Sequence, residues 1–591
     1  MNIKISFFVF FLALSFNLNS QEHVEKTWWN PSTSSIKVIE GRAWKDVGDF
    51  NYNRLPSIAK DSVRDQVWNL SKHSAGLSIN FTSNSQNISV RYKVKGGHAM
   101  PHMPSTGVSG VDLYVKNNDG EWLWNRGRYN FGDTITYNFN SLNIKDPHHD
   151  KGRAYKLYLP LYNEVEWLEI GTEQNTIFTP NEKRKEKPIV VYGTSIAQGA
   201  CASRPGMAWT SILERKLDNP VINLGFSGNG RLEDEVLNFI TEIDAEVFVL
   251  DCLPNLTRYS KNNTQFVYDR IIASVRKLRE RHANTPILLV EHSGYSDGST
   301  NQERYDTYSV LNTILQNAFK ALRKEGVQDV YTLTKEELDL GLDSYVDGTH
   351  PNDLGMLQQA SAYEKSIRKI LNRPKGAIVT KIPVTQNRDA NVYNWNLRHQ
   401  YILETNQKKA PKICFIGNSI VHQWGGVPNM SIANGAKSWS KYFKELDVKN
   451  FGYGWDRIEN VLWRIYHGEL DGFEAEQVIV KIGTNNLHLN TDNEIIEGLK
   501  FLIDAIKFKQ PTAKIKLIGI LPRRGEETRV DTLNTLIEAV SKTLNVSYLS
   551  IGNVLLTTDK KIDESLFRDG LHPNEKGYSK LAPQIKNYLL K

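Results

Sequence analysis

The chain has 591 residues, of which 40% are hydrophobic, and a formal net charge of +7. This length exceeds what one hydrophobic core supports, so the sequence predicts about three domains. The positive charge is small for this length and is spread along the chain, so it gives little reason to expect nucleic acid as a partner. With only three cysteines, the fold is not expected to depend on disulfides.

The N-terminus has the pattern of a secretory signal peptide. A charged start at Lys4 precedes an apolar stretch from Ile5 to Phe16, and small and polar residues follow up to Gln21. The stretch is shorter than the roughly 20 apolar residues of a membrane helix, and no later segment is apolar enough to span a bilayer. We therefore expect an exported protein, periplasmic or secreted, whose mature chain has no integral membrane segment.

The rest of the chain divides into regions that differ in their pattern of apolar and polar residues. Short runs that alternate apolar and polar residues, such as Ile88 to Val94, indicate an all-β N-terminal domain. Two later regions alternate buried strands with helix-length segments, which is typical of α/β domains with three layers. The predicted organisation is a signal peptide over 1–20, a β-sandwich over 21–182, α/β domains over 183–375 and 411–591, and a linker over 376–410.

The two α/β regions share an internal repeat, which is a strong indication of common architecture. The shared motifs are Gly-Thr-Ser195-Ile and Asp347-Gly-Thr-His350-Pro-Asn in the first region, and Gly-Asn-Ser419-Ile and Asp569-Gly-Leu-His572-Pro-Asn in the second. The serine lies 155 residues before the histidine in the first region and 153 residues before it in the second. Because both motifs recur with nearly the same number of residues between serine and histidine, they indicate one site per region.

Each motif contains residues that a hydrolytic site requires. A serine directly after a buried strand lies where ligands bind in open α/β sheets, and its hydroxyl becomes a nucleophile when a base takes its proton. In an Asp-x-x-His turn the carboxylate can hold one ring nitrogen while the other faces the serine. Glycine-rich and asparagine-containing turns after the next strands can donate hydrogen bonds to a developing oxyanion. These turns contain Gly228 and Asn255 in the first region, and Trp455 and Asn485 in the second.

Serine, glycine, asparagine and histidine in this order resemble the SGNH (GDSL-type) hydrolase family, which implies two flavodoxin-like catalytic domains in tandem. The resemblance implies the following roles: Ser195 and Ser419 as nucleophiles, His350 and His572 as general bases, Asp347 and Asp569 as their partners, and Gly228, Asn255, Trp455 and Asn485 as oxyanion donors. Trp455 departs from the family pattern because it stands where the glycine is expected. Its N–H can donate only if the turn tolerates a side chain, and its ring would crowd the acyl pocket.

Further resemblances concern the other parts of the chain. Gly110-Val-Asp-Leu-Tyr114 resembles the GxDLY signature of an N-terminal domain that precedes certain bacterial SGNH esterases. The second region is similar to the platelet-activating-factor acetylhydrolase branch through Asn450-Phe-Gly-Tyr-Gly and Gly483-Thr-Asn-Asn486. A β domain ahead of an SGNH domain also resembles the layout of some carbohydrate esterases. His98 and His102 are expected in a loop that borders the first site, without a metal.

The sequence thus predicts a carboxylic ester hydrolase without metal or organic cofactor, acting on acetylated carbohydrate or another ester through an acyl-enzyme. Two alternatives remain open. One is a lipid or thioester acylhydrolase, and the other is a glycan-binding protein in which one or both SGNH units are not catalytic. Trp122 and Trp124 are compatible with sugar stacking, although aromatic residues in a β domain are more often part of its core.

Overall fold

A computed structural model describes residues 25–44, 52–142, 151–428 and 432–591. The predicted signal peptide lies outside these residues. Within them, no helix combines the length and the apolarity needed to cross a bilayer.

The N-terminal region contains two antiparallel sheets whose buried side chains form one shared core, as in a β-sandwich. Their strand orders are β1-β10-β4-β8-β7 and β11-β3-β9-β5-β6, with β2 paired to β3. The strands are β1 Lys26–Trp29, β2 Ile39–Glu40, β3 Ser78–Ser83, β4 Ile88–Val94, β5 Asp112–Lys116, β6 Trp122–Asn125, β7 Arg128–Phe131, β8 Ile135–Phe139, β9 Arg153–Tyr158, β10 Val165–Glu173 and β11 Phe178–Pro180.

The region is not purely β. It contains two short helices, α1 Asp65–Ser71 and α2 Ser105–Val108. The stretch from Leu55 to Val67, which includes the start of α1, packs into the core of the first α/β unit rather than between the two sheets. The predicted β domain therefore includes a segment that completes the neighbouring unit.

The first α/β unit is a five-stranded parallel sheet of order β13-β12-β14-β15-β16 with helices on both faces. In sequence order this is 2-1-3-4-5, the flavodoxin-like arrangement, whose ligand-binding crevice lies at the carboxyl ends of strands one and three. The elements are β12 Ile189–Gly193, α3 Ser195–Gln198, α4 Trp209–Leu217, β13 Val221–Gly225, α5 Asp234–Ile240, β14 Val247–Asp251, α6 Thr264–Arg281, β15 Ile287–Val290, α7 Gln302–Lys324, β16 Val330–Leu333, α8 Lys335–Leu338 and α9 Asp353–Ile370.

The second unit repeats this topology, with strand order β18-β17-β19-β20-β21 and two cores, one on each face. Its elements are α10 Trp395–Lys408, β17 Ile413–Gly417, α11 Ser419–His422, α12 Ala436–Phe443, β18 Val448–Gly452, α13 Ile458–Tyr466, β19 Gln477–Lys481, α14 Asp492–Lys509, β20 Lys514–Ile518, α15 Glu527–Thr543, β21 Ser547–Leu549 and α16 Glu575–Leu590.

The segment 376–410, predicted as a linker, contributes to the second unit. Its helix α10 buries Trp395 and Ile402 in the core of that unit. The inward face of α10 also carries Arg398 and His399, both buried, so the apolar periodicity that reveals an amphipathic helix is interrupted. For this reason the sequence pattern alone resembled a polar connection.

The three parts meet at Asp218, which follows α4. Its carboxylate accepts hydrogen bonds from Lys116 of the β domain at 2.9 Å and from the Trp463 indole of the second unit at 3.2 Å, and it also binds Arg184 at 3.3 Å. Burial alone would raise the pKa of Asp218, but Lys116 and Arg184 outweigh it and hold the pKa well below its usual range. The ionised carboxylate thus joins both neighbours to the first unit.

Candidate active sites

The first site forms where β12 ends. Ser195 is the first residue of α3, which Thr194 caps by accepting a hydrogen bond from the backbone of Ile196. The Ser195 Oγ lies 2.9 Å from His350 Nε2, and His350 Nδ1 lies 2.7 Å from Asp347 Oδ2. Both distances are within the reach required for proton transfer from a serine to an oriented histidine.

The carboxylate of the first site is held by its own turn. Asp347 Oδ1 accepts the backbone N–H groups of Thr349 at 3.0 Å and His350 at 2.8 Å. Burial alone would raise the pKa of Asp347, but the hydrogen bonds from His350 and Thr349 outweigh it and keep the pKa below its usual value. Asp347 therefore stays ionised beside the imidazole, which is the state that orients a general base.

The second site repeats this geometry. His572 Nε2 lies 2.8 Å from Ser419 Oγ, and His572 Nδ1 lies 2.7 Å from Asp569 Oδ2. Burial lowers the pKa of His572, and the charges of Arg568 and Lys481 lower it further, against the opposing effect of Asp569. A neutral imidazole is the form that can accept the serine proton.

The predicted oxyanion turns have the same backbone form in both units. Gly228 has φ +68°, and Trp455 has φ +62°, which is the left-handed region that disfavours side chains. The second turn thus tolerates the side chain, and Trp455 is 45% exposed. Asn255 Nδ2 donates to Phe226 O at 3.3 Å, next to the first turn, and Asn485 lies beside the second. The structure therefore brings all four predicted donors to the turns.

Each turn is fixed beside its serine. The backbone N–H of Phe226 donates to Gly193 O at 3.0 Å, and that of Tyr453 donates to Gly417 O at 3.0 Å. Gly193 and Gly417 are the residues two positions before Ser195 and Ser419. The turn and the nucleophile consequently share one anchor at the end of the first strand.

Sequence reasoning missed two buried asparagines that hold this arrangement. Asn223 Nδ2 donates to Ala197 O in α3 at 2.7 Å, and its Oδ1 accepts the Gly225 N–H at 2.9 Å. Asn450 makes the equivalent bonds to Val421 O at 2.7 Å and from Gly452 at 2.9 Å. The signal was present, because both units contain Asn-x-Gly in the repeated turn.

The β-domain loop expected near the first site does border it. The rings of His102 and His350 are 6.0 Å apart between centroids, and Thr106 donates to Ser203 O at 2.7 Å. This contact confirms the predicted neighbourhood of the loop. The β domain thus forms part of the rim of the first site.

Each sheet has a buried ionisable group at the same position, opposite the glycine that precedes the catalytic serine by two residues. Asp251 pairs with Gly193 in the first sheet, and Lys481 pairs with Gly417 in the second. Burial raises the pKa of Asp251 to about 7, which a hydrogen bond from the Tyr363 hydroxyl at 3.0 Å opposes only in part. Burial lowers the pKa of Lys481 to about 7. Each group is therefore driven toward its neutral form.

The two groups should give the units opposite stability profiles. Between about pH 4 and pH 7 the folded chain keeps the Asp251 proton that the unfolded chain releases, so the free energy of unfolding of the first unit should fall as pH rises. Above pH 7, up to about pH 10, the unfolded chain holds the Lys481 proton that the folded chain lacks, so the second unit should gain stability with pH.

Calorimetric unfolding of Asp251→Asn and Lys481→Met across this pH range measures both effects. Asp251→Asn should flatten the fall in the transition of the first unit, and Lys481→Met should flatten the rise in that of the second. Asp133→Asn, at an exposed turn of the β domain, serves as the control. Unchanged pH slopes in both variants would show that these groups titrate at their ordinary values.

Family models match most of the chain. Two models, each described as the GDSL-like lipase/acylhydrolase family, match residues 186–368 and 415–580. A third, described as the N-terminus of SGNH-hydrolase-type esterases, matches residues 26–178. These matches confirm the GxDLY and tandem SGNH resemblances that the sequence motifs indicated.

Individual relatives agree. Over 203 residues the chain is 30% identical to the platelet-activating factor acetylhydrolase IB subunit alpha2 of Rattus norvegicus, and 28% identical to subunit alpha1 of Bos taurus. These matches span 33% of this chain and 83% and 82% of the two relatives, and fall on the second unit. A solved structure assigned as a GDSL-like lipase from Bacteroides ovatus is 32% identical, with a TM-score of 0.53, and the match covers 59% of this chain and 98% of that one.

Proposed function

Because the chain belongs to the GDSL-like lipase/acylhydrolase family, whose members are also called SGNH hydrolases, we propose that it is an exported serine esterase which removes acetyl groups from carbohydrate esters. The observation that carries the proposal is the pair of Ser–His–Asp arrangements, with Oγ to Nε2 distances of 2.9 and 2.8 Å. Export is inferred from the N-terminal charged, apolar and small-residue pattern.

The proposed reaction at the first site has two halves. His350 Nε2 takes the proton of Ser195 as Oγ attacks the ester carbonyl, while Asp347 holds the Nδ1–H and stabilises the imidazolium. The Gly228 N–H and the Asn255 amide donate to the oxyanion that forms on the carbonyl oxygen. When the tetrahedral intermediate collapses, the bond to the alcohol oxygen breaks, the alcohol leaves with the proton from His350, and the acetyl group remains bonded to Oγ. Water, deprotonated by His350, then attacks this acyl-enzyme, and acetic acid and free Ser195 result.

Two observations favour the acetyl and carbohydrate assignments. The curated relatives of the second unit are named acetylhydrolases, which supports a short acyl group. Trp455 presents a half-exposed indole next to the proposed oxyanion turn, and such a flat apolar face can pack against a sugar ring. Trp124 of the β domain is also half-exposed, which excludes it from the core and leaves it compatible with sugar stacking.

A lipid acylhydrolase is the second candidate. Val346 and Leu354, which flank the turn of His350, are each 49% exposed and could contact an acyl chain or a lipid surface. The relatives of the second unit are named for platelet-activating factor, which also favours this candidate. A purely glycan-binding protein has no use for an aligned serine, histidine and carboxylate, so no observation favours that alternative.

Release of acetate from a panel of acetylated polysaccharides by the purified mature chain tests the proposal. The panel is compared with platelet-activating factor and with p-nitrophenyl esters of acetate and of a long-chain acid. We expect acetate from at least one polysaccharide and a preference for the short acyl group. The matched control is the Ser195→Ala, Ser419→Ala chain. Turnover only of lipid or long-chain esters would favour the second candidate, and glycan binding without turnover would contradict both.

A further inference from the structure

The two peptides on either side of the Trp455 Cα are held by residues that lie outside the sheet and helices of the second unit. The carbonyl of Gly454 accepts hydrogen bonds from Gln386 and from the Tyr393 hydroxyl, each at 2.8 Å. The carbonyl of Trp455 itself accepts a hydrogen bond from Arg388 at 2.9 Å. These three donors belong to the segment that precedes α10. The Gly454 carbonyl lies in the same planar peptide as the Trp455 N–H, so its two hydrogen bonds fix the direction of that N–H. The Trp455 carbonyl lies in the next peptide, so the bond from Arg388 holds the other side of the Trp455 Cα.

Arg388 is in turn held by the β domain. Asp119, in the turn between β5 and β6, binds Arg388 Nε at 2.7 Å and Arg457 at 3.2 Å through the same carboxylate oxygen. Burial alone would raise the pKa of Asp119, but the hydrogen bond and charge of Arg388, with those of Arg457, outweigh it and keep the pKa below its usual value. Asp119 is therefore an ionised partner for two guanidinium groups.

The backbone contacts bring the turn of Asp119 against the same segment. The N–H of Asn387 donates to Asn118 O at 2.8 Å. A Cβ at Gly120 would lie 2.1 Å from Thr385 O, so the approach leaves no room for a side chain. The β-domain turn is thus docked on the segment that carries Arg388, and Asp119 reaches Arg388 from a fixed position.

The first site satisfies the corresponding carbonyl locally. Gly228 O accepts hydrogen bonds from Arg231, at 2.8 Å from one terminal nitrogen and 3.1 Å from Nε. Arg231 lies only three residues after Gly228 and needs no residue of the β domain for this bond. Both oxyanion turns therefore have an arginine on the same carbonyl, but only the second obtains it from a distant segment held by another domain.

We infer that Asp119 of the N-terminal β domain is a positioning residue for the second hydrolytic site, acting through Arg388 on the Trp455 carbonyl to hold the turn that presents the Trp455 N–H to the oxyanion. The inference rests on the proposed function of the second unit. It makes the β domain, which precedes the first unit in the sequence, a working part of the second site.

The test uses full-length chains carrying Ser195→Ala, in which only the second site can form an acyl-enzyme. A misaimed donor weakens transition-state stabilisation, and a whole oxyanion donor is worth roughly 10²–10³ in turnover. We expect Asp119→Ala to lower kcat on p-nitrophenyl acetate by about 10-fold, with KM changed less than twofold. Gly120→Ala, which forces the turn away from Thr385, should lower kcat in the same way. Asp133→Ala, at another exposed turn of the β domain, is the matched control.

A double-mutant cycle separates positioning from general destabilisation. If Asp119 acts through Arg388, the Asp119→Ala, Arg388→Ala chain should be no slower than Arg388→Ala alone. In chains carrying Ser419→Ala in place of Ser195→Ala, which report on the first site, Asp119→Ala should change the rate by less than twofold. An unchanged second-site kcat, additive losses, or equal losses at both sites would overturn the inference. Absence of any Ser419-dependent hydrolysis before Asp119 is altered would instead overturn the proposed function of the second unit, and the inference with it.

Discussion

Replacing Ser195 with alanine in a chain that already carries Ser419→Ala should lower the turnover of a short acetyl ester by about 10⁴-fold or more. The loss is large because the Ser195 Oγ forms the acyl-enzyme, and removing it leaves only the oxyanion donors and substrate binding. His350, 2.9 Å from that oxygen, would then have no nucleophile to activate.

The measurement compares kcat for p-nitrophenyl acetate in the two chains, with active sites counted by a serine-reactive phosphonate. Ser361→Ala, on the exposed face of α9, is a matched control and should leave both the rate and the labelling unchanged. Retention of near-normal turnover in the chain lacking both serines would show that neither serine is the nucleophile and would contradict the assignment of both sites.

The proposed catalytic residues could be predicted because they lie in short sequence motifs that occur once in each α/β unit. Ser195 and His350 could be predicted from their spacing and from the position of Ser195 after a strand. The same motifs in the second unit occupy the same places in the sheet topology. The contacts that support these residues were not predictable in this way. They join segments far apart in sequence, and neither partner alone forms a pattern.

Two buried arginines illustrate this limit of sequence reasoning. Arg54, in the stretch before α1, donates to Gly225 O at 2.6 Å and Asn223 O at 3.2 Å, at the end of β13. Arg398 of α10 donates to Gly452 O at 2.8 Å and Asn450 O at 3.2 Å, at the end of β18. The internal repeat therefore extends to the segments before each sheet. One of them was predicted as β domain and the other as linker, because each arginine stands in an unrelated local sequence.

In a chain carrying Ser195→Ala, hydrolysis of short acyl esters should persist, and a further Ser419→Ala should abolish it. The distances in the triad of the second site agree with those of the first within 0.1 Å, so the path from Ser419 to His572 can carry the proton. The left-handed φ of Trp455, +62°, is close to the +68° of Gly228, so the N–H of the turn keeps its direction. We therefore expect a working second site whose pocket, rather than its oxyanion donor, differs from that of the first.

The difference in selectivity should follow the side chain at this one position. We expect the Trp455 ring, as the side chain at the oxyanion turn, to narrow the acyl pocket, so the second site should prefer acetyl over butyryl esters more strongly than the first. Trp455→Gly should then reduce this preference by about 10-fold, within the range for one or two methylenes. The reciprocal change starts from open space, because a Cβ at Gly228 would meet no atom within 4 Å. Gly228→Trp in the Ser419→Ala chain should then give the first site the stronger acetyl preference, at a cost of about 1 kcal/mol for its left-handed backbone.

The experiment measures kcat/KM for p-nitrophenyl acetate and butyrate in the four chains that carry tryptophan or glycine at the turn of the first or the second site. A preference that moves with the tryptophan in both directions identifies the Trp455 ring as the selectivity element of the second site. If Trp455→Gly instead raises turnover of both esters equally, the ring limits the oxyanion donor and not the acyl pocket. If neither exchange alters the ratio, the acyl pocket does not include this turn, and the narrow second pocket predicted from Trp455 is wrong.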